Sequence, residues 1–427
     1  MNMCIIEFLA AQIPEPRAPP ITILSGRTLV AQRQVNTLHR RSAARRRDTQ
    51  ETKYHDRGDC EMIGDYFIAD GVVHGYNWSE PNWRIPEARY AAEGGFGAHH
   101  GLQPNPAWWL TQDEFRHDWQ IAELEEAAFL EAGSDIICYH GTAIRDLWTD
   151  GHSADRKGVE WKKREPNRVV YYGGVNPLDG QKALDELARN RDNGADAVKI
   201  YPAYYDGKGA TRRISLDDPE FGFPFIERSL ELGYNIIATH KAIPFGPVDV
   251  RAFDLADVPS AAGRYPEMRF EIMHAGMAFV EETVLVLQSF PDNTYVNLEG
   301  ANSLLLSQPR RFAHFLGKFL MTGHNAADRI IISSGMALVH SRPVFDAIIN
   351  FEMPEDLRRN YGYPEVTPEI KQKLLGGNFM RLHGKDIATF KKTVEGDYWD
   401  TRQKAEGTEH ELWSHYRALG GGTQGPA

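Results

Sequence analysis

The sequence predicts a (β/α)8 barrel of the TIM type. Three observations carry that expectation: eight short β-rich runs, helical patterns between them, and polar side chains gathered at the C-terminal ends of the runs. The runs fall at residues 65–74, 135–140, 168–176, 196–202, 234–240, 269–276, 294–300 and 329–338. Each is rich in Ile, Val, Tyr and Phe, as a strand buried on both faces requires. Between the first two, residues 111–133 read as one helix, with Thr111 as its N-cap and Gly133 at its end. Residues 179–194 place Ala183, Leu184, Leu187 and Ala188 at helical spacing and close on Gly194. Strands alternating with helices imply parallel pairing through right-handed crossovers, and eight such units close most simply as a barrel. The competing arrangement is a doubly wound open sheet. Its dinucleotide-binding form is disfavoured because no G-x-G-x-x-G turn follows the first run.

Composition narrows the class. With 42% hydrophobic and 25% charged residues, the 427-residue chain has the balance of a globular protein able to bury a sizeable core. A net charge of −11 argues against a general nucleic-acid binder, which needs a basic face for phosphates. No apolar run reaches the roughly 18 residues of a membrane span. Cys4, Cys60 and Cys138 are scattered and odd in number, so a reducing, cytoplasmic setting is expected.

Residues 1–61 are Arg-rich, poor in acids before Asp48 and without hydrophobic period; a disordered extension is expected there. The barrel is assigned to residues 62–390. Residues 391–427 are expected to form a peripheral helix and then a disordered tail.

In a barrel of this kind the ends of the strands face the active site. His74 ends the first run, His140 the second and His240 the fifth. His274 lies at the end of the sixth and Glu299 at the end of the seventh, while Lys199 lies within the fourth. Met336 and His340 stand at and just beyond the end of the eighth. Imidazoles at four strand ends suit metal ligation or general acid–base work better than packing.

The segments IADGVVHGY, ATH240, MH274AG and the closing LLGGNFMRLHG (374–384) resemble the amidohydrolase-related (amidohydrolase 2) family over about residues 65–386. The resemblance implies a TIM barrel of the metal-dependent hydrolase type, working as a hydrolase or as a decarboxylase. It implies a strand-1 Asp-x-His-x-His, a His on strands 5 and 6, and an Asp on strand 8. On that pattern Asp70 is the opening acid, and His74 and His240 bind one divalent metal, zinc by preference. His274 then contacts the substrate or the reacting oxygen, and an assembly of identical subunits is expected.

Two positions depart from the pattern. Val72 replaces the first histidine and Met336 the strand-8 acid. A catalytic zinc takes about three protein ligands, and thioether sulfur is a poor donor to a hard divalent ion. A third ligand would have to come from a carbamylated Lys199, His274, Glu299 or His340.

The loop after strand 1, residues 75–110, is long enough to cover the barrel mouth as a lid. Its aromatics and arginines suit a planar substrate bearing a carboxylate. Tyr76, Trp78 and Arg84, together with His140 and His340, are the substrate-binding candidates; His274, Lys199 and Glu299 are the catalytic ones. The expected activity is metal-assisted hydrolysis of a small, aromatic or carboxylate-bearing molecule. The alternatives are a non-oxidative decarboxylase or lyase of an aromatic acid, and a degenerate barrel kept for ligand binding. Convergence of the strand-end side chains on one pocket separates the enzymes from the last of these.

Overall fold

A computed structural model describes residues 66–407 and 409–421; the extension assigned to residues 1–61 and the end of the tail lie outside them. All eight expected strands are present in shorter form: β1 (Ala69–Val73), β2 (Ile136–His140), β3 (Val169–Val175) and β4 (Ala197–Ile200), then β7 (Ile236–Thr239), β8 (Arg269–Ile272), β9 (Thr294–Asn297) and β10 (Ile330–Ile331). They form one parallel sheet in that order. A two-stranded antiparallel hairpin, β5 (Ala203–Tyr205) and β6 (Thr211–Arg213), is inserted after β4 and was not expected.

The sheet closes on itself beyond the short β10. His74 N–H donates to the Met336 carbonyl at 2.5 Å and Gly335 N–H to the Val72 carbonyl at 3.1 Å, and Val73 pairs in parallel with Met336. The Asp70 carboxylate reinforces the seam. It accepts from the Ser334 hydroxyl (2.5 Å), the Ser334 N–H (2.9 Å) and the Ser341 hydroxyl (2.8 Å). The opening acid of strand 1 is thus committed to barrel closure.

Strand periodicity sorts the side chains into two apolar sets. Ile137, Tyr139, Val198, Ile237 and Val296 join the cluster that packs strands against helices. Ile136, Cys138, Ala197, Ile236, Ala238 and Tyr295 fill the barrel interior. Continuing the interior series by two residues reaches His140, Lys199 and His240, and by four reaches Glu299, which is why these polar side chains lie inside the barrel toward its C-terminal end. The closing motif 374–384 seals the opposite end. Asn378 donates to the carbonyls of Ala327 and Ile330 (both 2.7 Å), and Phe379, Met380 and Leu382 join the interior cluster.

Residues 111–133 are not one helix. The chain forms Gln112–Phe115, turns, and resumes as Ile121–Glu125 before widening into a π-helix at Glu126–Glu131. The interruption has a tertiary cause: Trp78 N–H donates to the His117 carbonyl and Trp119 N–H to the Tyr76 carbonyl, so the turn pairs with the lid. Past residue 391, helices Tyr398–Glu406 and Ser414–Ala418 pack on the barrel, with Trp399, Trp413 and Tyr416 buried. Among the described residues no helix is long and apolar enough to cross a membrane.

Candidate active site

At the C-terminal rim lies a cavity with an empty volume of about 990 Å³, part of it open to solvent. His74, Lys199, His240, His274 and Glu299 all line it, so the strand-end side chains converge. Tyr76 lines it as well, its ring stacked on His74 at 4.7 Å.

His274 occupies an unusual backbone turn. Directly after β8, His274, Ala275 and Gly276 all have positive φ (57°, 46° and 60°), a left-handed conformation that costs a non-glycine residue about 1–2 kcal/mol. Such strain persists where surrounding contacts hold it. Here the contacts are polar. His274 Nδ1 lies 2.6 Å from Glu299 Oε2, and its Nε2 lies 3.1 Å from His240 Nδ1. His240 Nε2–H in turn donates to the Ile243 carbonyl at 2.6 Å.

These contacts assign the protons. His240 carries its hydrogen on Nε2 and presents a lone pair at Nδ1. His274 therefore donates from Nε2 to His240, and Nδ1 and the carboxylate share a further proton. Glu299, His274 and His240 form a line in which both ring nitrogens of His274 face an acceptor, so the line has room for a proton at each. Burial pushes the Glu299 carboxyl up, but the facing His274, the hydrogen bond to it and the nearby His74 outweigh burial and hold it below the usual range. Burial, together with the neighbouring His274 and Lys199, holds His240 neutral.

His74 donates from Nδ1 to the His140 carbonyl at 3.0 Å, which leaves Nε2 as a lone pair. Burial lowers its pKa to about 4, so it stays neutral at ordinary pH. Lys199 is lowered to about 8, again chiefly by burial, although Glu299 and Glu271 oppose the shift.

Four candidates lie off the cavity wall. Trp78 is buried behind the lid helix Ala88–Leu102, so close to Gly95 that a Cβ there would lie 2.4 Å from its ring. Arg84 is exposed and donates to the Arg145 carbonyl at 2.9 Å. His140 is fully buried below the cavity floor, its ring 4.5 Å from that of Tyr172. His340 caps the helix Ser341–Ile349 and binds the buried Glu131 at 2.8 Å. None of the four meets the cavity, because strand-end position does not set how deep a side chain sits or which way the following loop turns. Two wall elements carried no clear signal in the sequence. One is His152, on the loop after β2 with Thr142 and Ile144; the other is the small-residue face of the lid helix, Ala91, Gly94, Gly95 and Ala98.

The donor set does not fit the expected metal. Among the described residues no group of three or more His, Cys, Asp or Glu side chains is placed to hold an ion. Val72 and Met336 supply no hard donor, Asp70 is bound to Ser334 and Ser341, and both ring nitrogens of His240 face protein partners. His74 Nε2 and the Glu299 carboxylate, which His274 engages, fall short of the roughly three protein ligands needed.

The sequence profile of the Amidohydrolase family (Amidohydro_2) matches residues 141–384. No match was found among curated protein sequences. Among solved structures, an uncharacterized TIM-barrel protein from Bordetella bronchiseptica superposes with a TM-score of 0.53 at 16% identity, covering 74% of this chain and 99% of that one. A 5-carboxyvanillate decarboxylase from Novosphingobium aromaticivorans, complexed with manganese and 4-hydroxy-3-methoxy-5-nitrobenzoic acid, gives 0.48 at 14% identity over 76% of this chain and 99% of that one. The 4-oxalomesaconate hydratase from Rhodopseudomonas palustris gives 0.44 at 15% identity over 77% and 99%. At 16% identity the likeness to the Bordetella bronchiseptica protein is one of fold alone.

Proposed function

Since the chain belongs to the amidohydrolase family, we propose that it is a small-molecule enzyme, a lyase that removes carbon dioxide from an aromatic or 3-oxo carboxylic acid. The observation that carries this reading is the proton held along Glu299, His274 and His240 on the cavity wall. Decarboxylation leaves an electron pair on carbon, and that carbon needs an acid beside it. A proton between a carboxylate and two imidazoles, delivered from the His274 side, meets that need without a bound ion.

The rest of the wall suits the same reaction. Leu102, Ile144, Ile243, Phe245 and Met277 surround the polar groups with apolar surface. A carboxylate placed among them loses water, which favours the charge-dispersed transition state over the localised anion. Tyr76, packed between aromatic neighbours that include His74 and His152, adds rigid aromatic surface to the wall. No step passes through a divalent metal, zinc included, because the third donor is missing from the cavity.

Hydrolysis is the second reading, favoured by the His74 Nε2 lone pair, which is placed to take a proton from water. Its basicity is depressed by burial, so it makes a weak base, and the lyase reading is preferred.

The test is a panel of aromatic and 3-oxo acids assayed for carbon dioxide release, alongside matched esters and amides assayed for cleavage. Release is expected from a member of the acid panel, with His274→Asn slowing it by about 10²–10⁴-fold while the melting temperature holds. Cleavage of esters or amides with no release from any acid would replace the lyase with the hydrolase.

A further inference from the structure

Among the described residues four lysines are buried: Lys157, Lys199, Lys241 and Lys371. Three have oxygen partners. Lys157 Nζ donates to the Gly75 carbonyl (2.9 Å), Asp118 Oδ1 (2.5 Å) and the Trp119 carbonyl (2.7 Å). Lys241 Nζ donates to Asp257 Oδ1 and Lys371 Nζ to the Ile349 carbonyl, both at 2.6 Å. Lys199 is different. It is 3% exposed, lines the cavity, and makes no hydrogen bond or ion pair with a described residue.

A buried ammonium without an acceptor is costly, and the group relieves that cost by giving up its proton. Of the side chains whose charges bear on it, Glu299 and Glu271 oppose this outcome, but burial outweighs them. His74, His140 and His240 are themselves held neutral, Glu271 is pushed toward its protonated form by burial, and Glu299 is engaged with His274. Lowered to about 8 from 10.5, the amine is uncharged in a usable fraction near neutral pH, and such an amine in a largely apolar cavity is the arrangement that carbonyl addition requires.

We propose that Lys199 is a covalent nucleophile that forms an imine with the carbonyl carbon of a ketone- or aldehyde-bearing substrate. The 3-oxo acid is the class that the decarboxylation above would use, and to that extent the proposal rests on that reading. The Nζ lone pair adds to the carbonyl carbon and the carbonyl π pair moves to oxygen, which takes a proton from His274. Nitrogen passes its proton to the new hydroxyl, which departs as water and leaves a protonated imine. The bond to the carboxylate then breaks. Its electron pair forms the enamine double bond, the imine π pair settles on nitrogen, and carbon dioxide leaves. The Glu299–His274–His240 line, reprotonated from solvent at the open cavity mouth, protonates the enamine carbon, and water hydrolyses the imine to the ketone and free Lys199, returning one proton to the line. One proton is consumed for each carbon dioxide released. Neither oxidant nor reductant is needed.

The test uses the full chain and 2,4-pentanedione, a 1,3-diketone that condenses with an uncharged amine, with loss of water, to an enaminone absorbing in the near ultraviolet. At neutral pH one equivalent of enaminone is expected, and peptide mass mapping places it on Lys199. Lys199→Arg is expected to lose the band. Mapping of the unsubstituted protein decides the matter even if that variant fails to fold. Absence of the band, or its location on another lysine, overturns the proposal. The probe needs no turnover, so the two ideas fail separately. An enaminone on Lys199 with no carbon dioxide release from any acid would sink only the decarboxylase; release that persists in Lys199→Arg would sink only the imine.

Discussion

Two buried carboxylates in this molecule each meet histidine, in opposite surroundings. Glu131, on the π-helical turn Glu126–Glu131, accepts from His340 Nε2 (2.8 Å), Trp413 N–H (2.7 Å), the Ser414 hydroxyl (3.0 Å), and His415 N–H and Nδ1 (2.8 and 2.9 Å). Every donor there is spent, and the node fastens the C-terminal segment to the barrel. Glu299 meets one imidazole, which faces a second, and that line stands on the wall of an open cavity. The contrast shows that a histidine–carboxylate pair by itself marks no function. A saturated pair fastens structure, while a pair with a cavity beside it is placed to meet a ligand.

The largest effect that separates the two regions is on stability. Glu131→Ala leaves five donors without their carboxylate and is expected to cost about 3–5 kcal/mol, read as a lowered denaturation midpoint. Turnover per folded molecule should stay within about twofold, and a selective loss of turnover would merge the two regions. The same node predicts an acid dependence. Burial pushes Glu131 up, but the His340 and His415 contacts prevail and hold it at about 2, against 4.5 for a free glutamate. A depressed carboxyl contributes stability that is complete above its unfolded value and lost as pH falls through the folded one. The stability gap between the parent and Glu131→Gln is therefore expected to shrink between pH 4.5 and pH 2; a gap unchanged across that window would contradict the assignment.

Lysines sharpen the same comparison at a smaller scale. Lys241→Met strands the buried Asp257 and is expected to destabilise. Lys199→Met removes a buried amine that has no partner and is expected to stabilise by about 1–3 kcal/mol. The Lys199 value is lowered to about 8 from 10.5, so the unfolded chain holds more protons between those values and the parent gains stability as pH rises through them. The advantage of Lys199→Met should therefore be greatest below pH 8 and fade above it, as thermal melts at several pH values would show. A variant less stable than the parent would mean that Lys199 is tied down after all.

The smallest expected effect is none. Dialysis against a chelator should leave the melting temperature and carbon dioxide release unchanged, because among the described residues no three donors are placed to hold one ion. A chelator-sensitive activity, restored by one equivalent of a divalent ion, would return the metal to the mechanism.

Much of the site was legible in the sequence. A buried parallel strand writes itself as a short β-branched run, and period two carries the interior series to Lys199, His240 and Glu299. His74 and His274 follow from the same rule at their strand ends. Depth and loop path escaped it. His140 sits on an interior position but below the cavity, and His340 follows β10 by a route that turns it toward Glu131. Trp78 looked like part of a substrate wall, yet the small face of the lid helix covers it and becomes the wall instead.

The amino-acid order by itself determined the eight-strand alternation, the polar rim and the apolar residues Val72 and Met336 where the family pattern would have His and Asp, since each of these is a local pattern of residue types. The tertiary structure decided which polar groups were left over. Only packing could commit Asp70 to the barrel seam, saturate Glu131, break residues 111–133 at the lid, and leave Lys199 without an acceptor beside a shared proton. Hydrogen-bond satisfaction is a property of neighbours brought together from distant parts of the chain, and no run of sequence contains it.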